Sequence, residues 1–254
     1  MKLFHICTIS NDIEQYQKAR KTFLEGGFSE EVCKYSLFDN SKGNTYDPFE
    51  TINHVIKTTA EPYVMFCHQD VLLDKGDGFS HLKELLEELE KLDPRWAIAG
   101  NAGINNHYEL VAKISDSSTP IWPGSFPQKV HSLDENFFVI KTSASVLCSQ
   151  DLKGFHCYAS DLCFSAIVNK FSCYVIDFHL THLSTGTYNQ VLYDAQDRFH
   201  KKWSNHFSFR YVKSTSSGIV LLSRYKILRR FGRRHRVKDF LLRHRFLHSF
   251  ISLQ

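Results

Sequence analysis

The chain has 254 residues, 43% hydrophobic, 14% aromatic and 23% charged, with 31 Lys and Arg against 27 Asp and Glu and a formal net charge of +4 at pH 7. That length buries a sizeable core as one α/β domain, and that composition excludes a chain disordered over most of its length. The seven Cys, at 7, 33, 67, 148, 157, 163 and 173, form no Cys-x-x-Cys pair, which points to buried, reduced thiols in a cytosolic compartment and away from a disulfide framework or a zinc site.

In chain order, Leu3–Ile9 reads as a first strand and not a signal peptide, because polar Asn11, Asp12 and Glu14 follow it closely. Asp12–Leu24 has helical spacing and stops at Gly26-Gly27. Val32–Phe38 is a second strand ending at Asp39-Asn40, and Pro48–Thr59 a helix. The run from Tyr63 to Cys67 is an apolar, fully buried strand after Pro62, and it ends on His68-Gln69-Asp70. His81–Leu92 is an amphipathic helix whose Leu82, Leu85, Leu86 and Leu89 face the core, and Trp96–Gly100 is a further strand. Residues 101–127, rich in Gly, Asn, Ser and Pro, read as a long irregular stretch. Val130–Ile140 and Ala144–Leu147 read as antiparallel strands, Ser160–Lys170 as a helix and Ser172–Phe178 as a strand. This alternation predicts an α/β fold, a mostly parallel sheet flanked by helices. No segment is long and apolar enough to cross a bilayer.

Two strand ends carry chemistry. In open α/β sheets ligands bind outside the carboxyl ends of strands, so the carboxylate and imidazole after Cys67 face a cleft, where such ligands can hold a divalent metal and the metal a diphosphate. The plainer role for Asp70 is to cap a following helix. The strand at Tyr174–Phe178 runs out into His179, His182, Ser184, Thr185 and Gly186. Either histidine taken alone suits a structural role, but His182 gains weight from pairing with Asp70, and the Ser-Thr-Gly loop can offer N–H groups to phosphate.

These features in this order resemble a GT-A type glycosyltransferase of the family-2-like group that includes the streptomycin-biosynthesis domain. The likeness spans about residues 3–205. It rests on the βαβ start, the helix with Asn53, Phe66-Cys67-His68-Gln69-Asp70-Val71, Val130-His131-Ser132-Leu133-Asp134, Phe155 to Leu162, His182-Leu183-Ser184-Thr185-Gly186, and Phe199 to Trp203. It implies a GT-A Rossmann-like sheet and transfer, with inversion, of a sugar from a nucleotide-sugar donor to a saccharide or lipid-linked acceptor in bacterial surface-polysaccharide biosynthesis. Asp70 matches the acid that binds the divalent metal, Mn2+ or Mg2+, and His182 a further ligand, with His179 the weaker choice. Donor contacts are expected at Thr8, Ser10, Asn11, Asp39, Asn40, Asn53 and Gln69, although turn formation and capping suit several of these equally. Trp122 could stack on an acceptor sugar or simply pack.

The chain departs from the family at the base. Where inverting relatives carry an acid after Glu or Tyr, Tyr158 is followed by Ala159, and the nearest carboxylate is Asp161. Asp161 is the expected catalytic base; Asp134 or another acid is the alternative, as is capping of the next helix by Asp161. The competing class is a GT-A-shaped sugar-nucleotide-binding or scaffolding protein with a degenerate base. A nucleotidyltransferase would need a Gly-rich phosphate loop with a Lys near the first strand, and none is evident.

From Arg224 to Arg245 ten Lys or Arg stand against Asp239 alone, interleaved with bulky apolar residues. The division expected is therefore a glycosyltransferase domain over 1–210 and a basic amphipathic helical tail over 211–254, broken near Gly232. The tail suits an anionic membrane surface on the cytoplasmic side, or a partner or second copy of the chain, and no recognised nucleic-acid motif accompanies it.

Overall fold

The computed structural model describes residues 2–73, 77–116, 119–184 and 189–232. The chain begins β1 (Phe4–Ser10), α1 (Ile13–Glu25), β2 (Cys33–Asp39), α2 (Pro48–Thr58) and β3 (Tyr63–Cys67), the βαβαβ start that the periodicity predicts. Asp12 caps α1 through Gln15 N, and Asp47 caps α2, with Pro48 in its first turn. Then come β4 (Val71–Leu73), α3 (Phe79–Leu92), β5 (Trp96–Gly100) and β6 (Ala102–Asn105). Three short strands, β7 (Leu110–Ala112), β8 (Ile114–Asp116) and β9 (Thr119–Ile121), precede β10 (Gln128–Leu133) and β11 (Phe137–Lys141). The chain continues through α4 (Tyr158–Val168), β12 (Ser172–Val175), β13 (Leu180–His182), α5 (Gln190–Ser204), β14 (Arg210–Val212), β15 (Val220–Leu222) and α6 (Lys226–Gly232).

The central sheet has nine strands in the order β2-β1-β3-β11-β5-β12-β10-β6-β7. β1, β2, β3, β5, β6 and β12 run one way and β7, β10 and β11 the other, so the sheet is mostly parallel. Successive side chains of its strands serve two cores. Val64 and Phe66 join Ile52, Val55, Leu162, Phe199 and Trp203 on one face; Met65 and Cys67 join Phe23, Leu82, Leu86 and Leu89 on the other. Helices α2, α4 and α5 therefore cover one face, and α1 and α3 the other, the three-layer α/β architecture. A fully buried leucine such as Leu82 or Leu86 contributes about 1.5–3 kcal/mol. All seven thiols are free and buried.

The structure departs from sequence expectation in three places that shape the site. Residues 101–127 are not one irregular stretch, since they hold β6 to β9. Gly103 permits this, because a Cβ there would lie 2.5 Å from the backbone oxygen of Ser132 on the neighbouring strand. The expected strand Val130–Ile140 is two strands running in the same direction, β10 and β11, interrupted at 134–136. β10 pairs with β6 through Leu133↔Gly103, and β11 pairs with β5 through Phe138↔Gly100, so Asn101 and the segment 134–136 form facing kinks. Ala144–Leu147 is no strand. A 3-10 turn at Thr142–Ala144 is followed by Ser145 in the left-handed region, and the Asn53 side chain supplies both backbone partners of Cys148.

The boundary expected at residue 210 falls on a strand. β14 pairs with β15, and Val212 and Leu222 lie in the main core with Trp203. The described globular part thus reaches at least Leu222. The basic tail beyond Gly232 lies outside the described residues. No helix among the described residues is long and apolar enough to cross a membrane.

Candidate active site

β3 stops at Cys67, and three residues later β4 leaves the main sheet to pair antiparallel with β13 in a second, four-stranded sheet of order β4-β13-β8-β9. In that register His182 lies opposite Val71, and Leu183 N donates to Asp70 O at 3.0 Å. Asp70 and His182 are thereby forced together, with His182 Nε2 3.4 Å from Asp70 Oδ2. His68, at the start of the same turn, places Nδ1 4.0 Å from Asp70 Oδ1. One ligand atom from each of His68, Asp70 and His182 lies within 4.8 Å of the others. The sequence points to the imidazole after Cys67 as well as to Asp70 but gives the ion to Asp70 and His182; the structure adds His68 as the third member of the cluster.

The electrostatics favour a cation at this point. Burial works against charge on Asp70, but hydrogen bonds from His182 and Ser184 and the charge of His182 outweigh it, holding the carboxyl well below its usual range. Burial pulls His182 down, and the hydrogen bond and charge of Asp70 more than reverse this. Burial keeps His68 low and therefore neutral. Its Nε2 lies 2.9 Å from the Tyr158 hydroxyl, which leaves Nδ1 for the cluster side. Two imidazole nitrogens and one ionised carboxylate form a donor set that fits a divalent transition metal such as Mn2+. His179 does not join them: its Nε2 is 2.9 Å from Ser115 Oγ, and its ring lies 5.5 Å from that of Trp122. Trp122 is exposed and lies under the Lys113 ammonium at 4.5 Å.

The cluster borders a pocket of about 390 Å3 lined by both His68 and Asp70, by Asn11, Asn40, Gln69 and Asn44, and by the apolar Ile9, Ile52 and Phe66. That volume is in the range of small-molecule sites. Asn11, Asn40 and Gln69, of the expected donor residues, are on this wall. Gln69 also laces the turn after β1: its Oε1 accepts from Ser10 Oγ at 2.7 Å and Asn11 N at 2.8 Å, and its Nε2 donates to Asn11 Oδ1 at 2.8 Å. The Asn40 amide is spent on both backbone groups of Tyr46. Thr8 is buried against Cys67 Sγ, Ser10 is buried beneath the turn, and Asp39 caps the next turn through Ser41 N. Asn53 is committed to Cys148, behind the pocket wall. Ser184 donates to Asp70, while Thr185 and Gly186 lie outside the described residues.

Asp161, the base expected from the sequence, is not on the pocket wall. Helix α4 begins at Tyr158, so Asp161 is inside its first turn and its own N–H bonds Cys157 O at 2.8 Å. Its carboxylate is fully buried and accepts from Ser149 N at 2.6 Å, Ser149 Oγ at 2.7 Å and Trp203 Nε1 at 2.8 Å. Those bonds tie α4 to the loop before it and to α5. Asp134 is held low despite burial by Asn136, whose N and Nδ2 donate to its Oδ1 at 3.0 and 2.8 Å. Glu135, not singled out from the sequence, lines the pocket, because the 134–136 kink lifts it out of both strand ladders.

Together the sheet and its flanking helices define an α/β protein with a GT-A-like fold. No protein-family model matches the chain. Solved structures sharing the fold include GalNAc-T7 with UDP, GalNAc and Mn2+, at TM-score 0.52 and 6% identity over 81% of this chain and 48% of that one. S. aureus TarS 1-349 in complex with UDP-GlcNAc aligns at TM-score 0.50 and 12% identity over 81% of this chain and 67% of that one. The chain belongs to the family of the "ATP synthase subunits region ORF 6" protein of Fuscovulum blasticum, with 30% identity over 227 residues, 86% of this chain and 90% of that protein.

Proposed function

We propose that the protein is a metal-dependent glycosyltransferase that moves a sugar, with inversion, from a nucleotide-sugar donor to a saccharide or lipid-linked acceptor in surface-polysaccharide assembly. The observation that carries this reading is the convergence of His68, Asp70 and His182 at the mouth of a pocket beside the carboxyl ends of β1 and β3. The ligands in the two fold neighbours, UDP-GlcNAc in one and UDP, GalNAc and Mn2+ in the other, are of the kind such a pocket would take.

His68, Asp70 and His182 would hold the metal, which when bound neutralises charge developing on the leaving diphosphate. The chain's own residues do the rest. Asn11 and Asn44 offer amide groups at the donor end, and Ile9, Ile52 and Phe66 give an apolar wall for a base or sugar face. Tyr158 fixes the orientation of the His68 ring. Ser184 and His182 hold Asp70 ionised, as a metal ligand must be.

The test is thermal stabilisation by UDP, GDP, CMP and dTDP, each with and without Mn2+, followed by nucleotide release from the matching sugar donor. Metal-dependent stabilisation by one nucleotide together with turnover supports the transferase. Binding without turnover favours a sugar-nucleotide-binding protein, and no metal-dependent stabilisation by any of the four refutes the site.

A further inference from the structure

Resting on that reading, we propose that Glu135 is the catalytic base, the carboxylate that takes the proton from the attacking hydroxyl. Two carboxylates line the pocket among the described residues, Asp70 and Glu135. Asp70 is engaged by His182 and Ser184 and by the ion it would hold, which leaves Glu135.

Its position follows from the kink. A residue within a regular strand would turn its side chain onto one face of the sheet, whereas 134–136 belong to neither β10 nor β11. Asp134 N is anchored to Ala102 O at 2.9 Å, and Asn136 O accepts from His68 N at 2.9 Å. The residue between them is thus fixed from both sides, one of them the metal turn itself. The Glu135 carboxylate faces the backbone N–H groups of Cys157, Tyr158 and Ala159 at the start of α4, a helix that has no side-chain cap from its own Cys157. It therefore occupies the N-terminal end of the helix on which Ala159 leaves no acid and from which Asp161 is turned away. Tyr158 joins the two halves of the site, its hydroxyl lying 2.9 Å from His68 Nε2 and 3.5 Å from Glu135 O.

The protonation chemistry agrees. Burial and then the charge of Asp134 push Glu135 up to about 8, against the pull of the three N–H groups. The other titratable groups coupled to it are Cys148, Cys157 and Tyr158, all of them pushed up and neutral near pH 7. A base near neutrality combines a useful ionised fraction with a strong affinity for the proton. In the step itself, the acceptor oxygen forms its bond to the anomeric carbon and the carbon–oxygen bond to the diphosphate breaks, its electron pair leaving on the diphosphate. The hydroxyl proton passes to Glu135 and afterwards to solvent.

The experiment uses the full chain with Mn2+ and a panel of UDP-, GDP-, CMP- and dTDP-sugars, with water as the acceptor, reading nucleotide release and thermal stabilisation by the free nucleotide in parallel. Glu135→Gln is expected to lose roughly 100-fold or more in release rate, with metal-dependent nucleotide stabilisation unchanged and the rise of rate with pH abolished. Glu135→Asp, which keeps the charge but retracts it, is expected to fall between. Full activity in Glu135→Gln overturns the assignment, as does loss of nucleotide binding together with turnover in both variants, which makes the residue part of the pocket wall. Absence of turnover by the unaltered protein with every donor overturns the transferase reading, and the base with it; turnover that survives Glu135→Gln overturns the base alone.

Discussion

Replacing Asp161 separates a structural carboxylate from a catalytic one. Its two oxygens serve three donors, Ser149 N, Ser149 Oγ and Trp203 Nε1, and both Asp161 and Trp203 are buried. In Asp161→Ala all three donors lose their acceptor. Ser149 is on the surface side and its hydroxyl can turn to water, so two N–H groups carry most of the cost, at about 1–3 kcal/mol each, and the emptied space adds to it. A loss of about 4 kcal/mol follows, which for a chain of this size is roughly a 10 °C fall in melting temperature. Asp161→Asn keeps one carbonyl oxygen for Trp203 and Ser149 Oγ but points an NH2 at Ser149 N, so one donor is lost. Burial already raises the carboxyl of Asp161, so the neutral amide recovers part of that cost, and the net loss is about 1–2 kcal/mol. Urea unfolding reads both values as a lowered midpoint at unchanged slope, with metal-dependent nucleotide stabilisation retained below the transition. An Asp161→Ala protein as stable as the parent but devoid of nucleotide release would refute the argument and return the base to Asp161.

Three further outcomes follow from other parts of the molecule. Asp70→Ala should abolish the Mn2+-dependent part of nucleotide stabilisation while the fold persists; metal-dependent stabilisation at the parent's level would remove Asp70 from the ion site. Asn53→Ala leaves the N–H and C=O of Cys148 without partners and should cost about 2–4 kcal/mol in urea unfolding with nucleotide affinity unchanged, whereas weakened affinity at parental stability would place Asn53 on the donor. On acidification, burial lowers His5 and His131 to about 4 each, with Lys34 assisting at the first and Arg210 at the second. Between pH 6.5 and 4 the unfolded chain binds more protons at these sites, so stability is present above that window and lost as pH falls through it. The shift corresponds to roughly 3 kcal/mol for each histidine, and His131→Gln should flatten the acid limb seen by chemical denaturation. A limb as steep as the parent's would show that His131 does not carry it.

What was legible in the sequence followed from uniform local patterns. The βαβαβ start could be read because apolar runs, helical spacing from Asp12 and the Gly26-Gly27 stop agree with one another, and the structure adds the caps at Asp12 and Asp47. Asp70 and His182 could be paired because each closes an apolar strand, and strand ends of an α/β sheet share one edge. The expected donor residues divided by where they lie: Asn11, Asn40 and Gln69 are on the pocket wall, whereas Asn53 is spent on the backbone of a segment 95 residues away, a long-range pairing that no local pattern reveals. Glu135 was hidden because Val130–Ile140 reads as a single strand through its polar Asp134-Glu135-Asn136 centre, and the break at 134–136 is set by two different neighbours, β6 on one side and β5 on the other. Asp161 was misleading for the opposite reason, since it is the nearest carboxylate to Ala159 along the chain, while in the fold its side chain is taken up by Ser149 and by Trp203 on another helix.

The seven buried thiols give the protein an internal clock. They are spread over β1, β2, β3, the segment before α4, α4 itself and β12, and both cores contain some of them. Burial raises those of Cys7, Cys33, Cys67, Cys148 and Cys157 as well, so the reactive thiolate is scarce even where a reagent arrives. A maleimide dye added to the native chain therefore waits for the layers to part, and the pace at which successive cysteines are tagged reports which layer separates first.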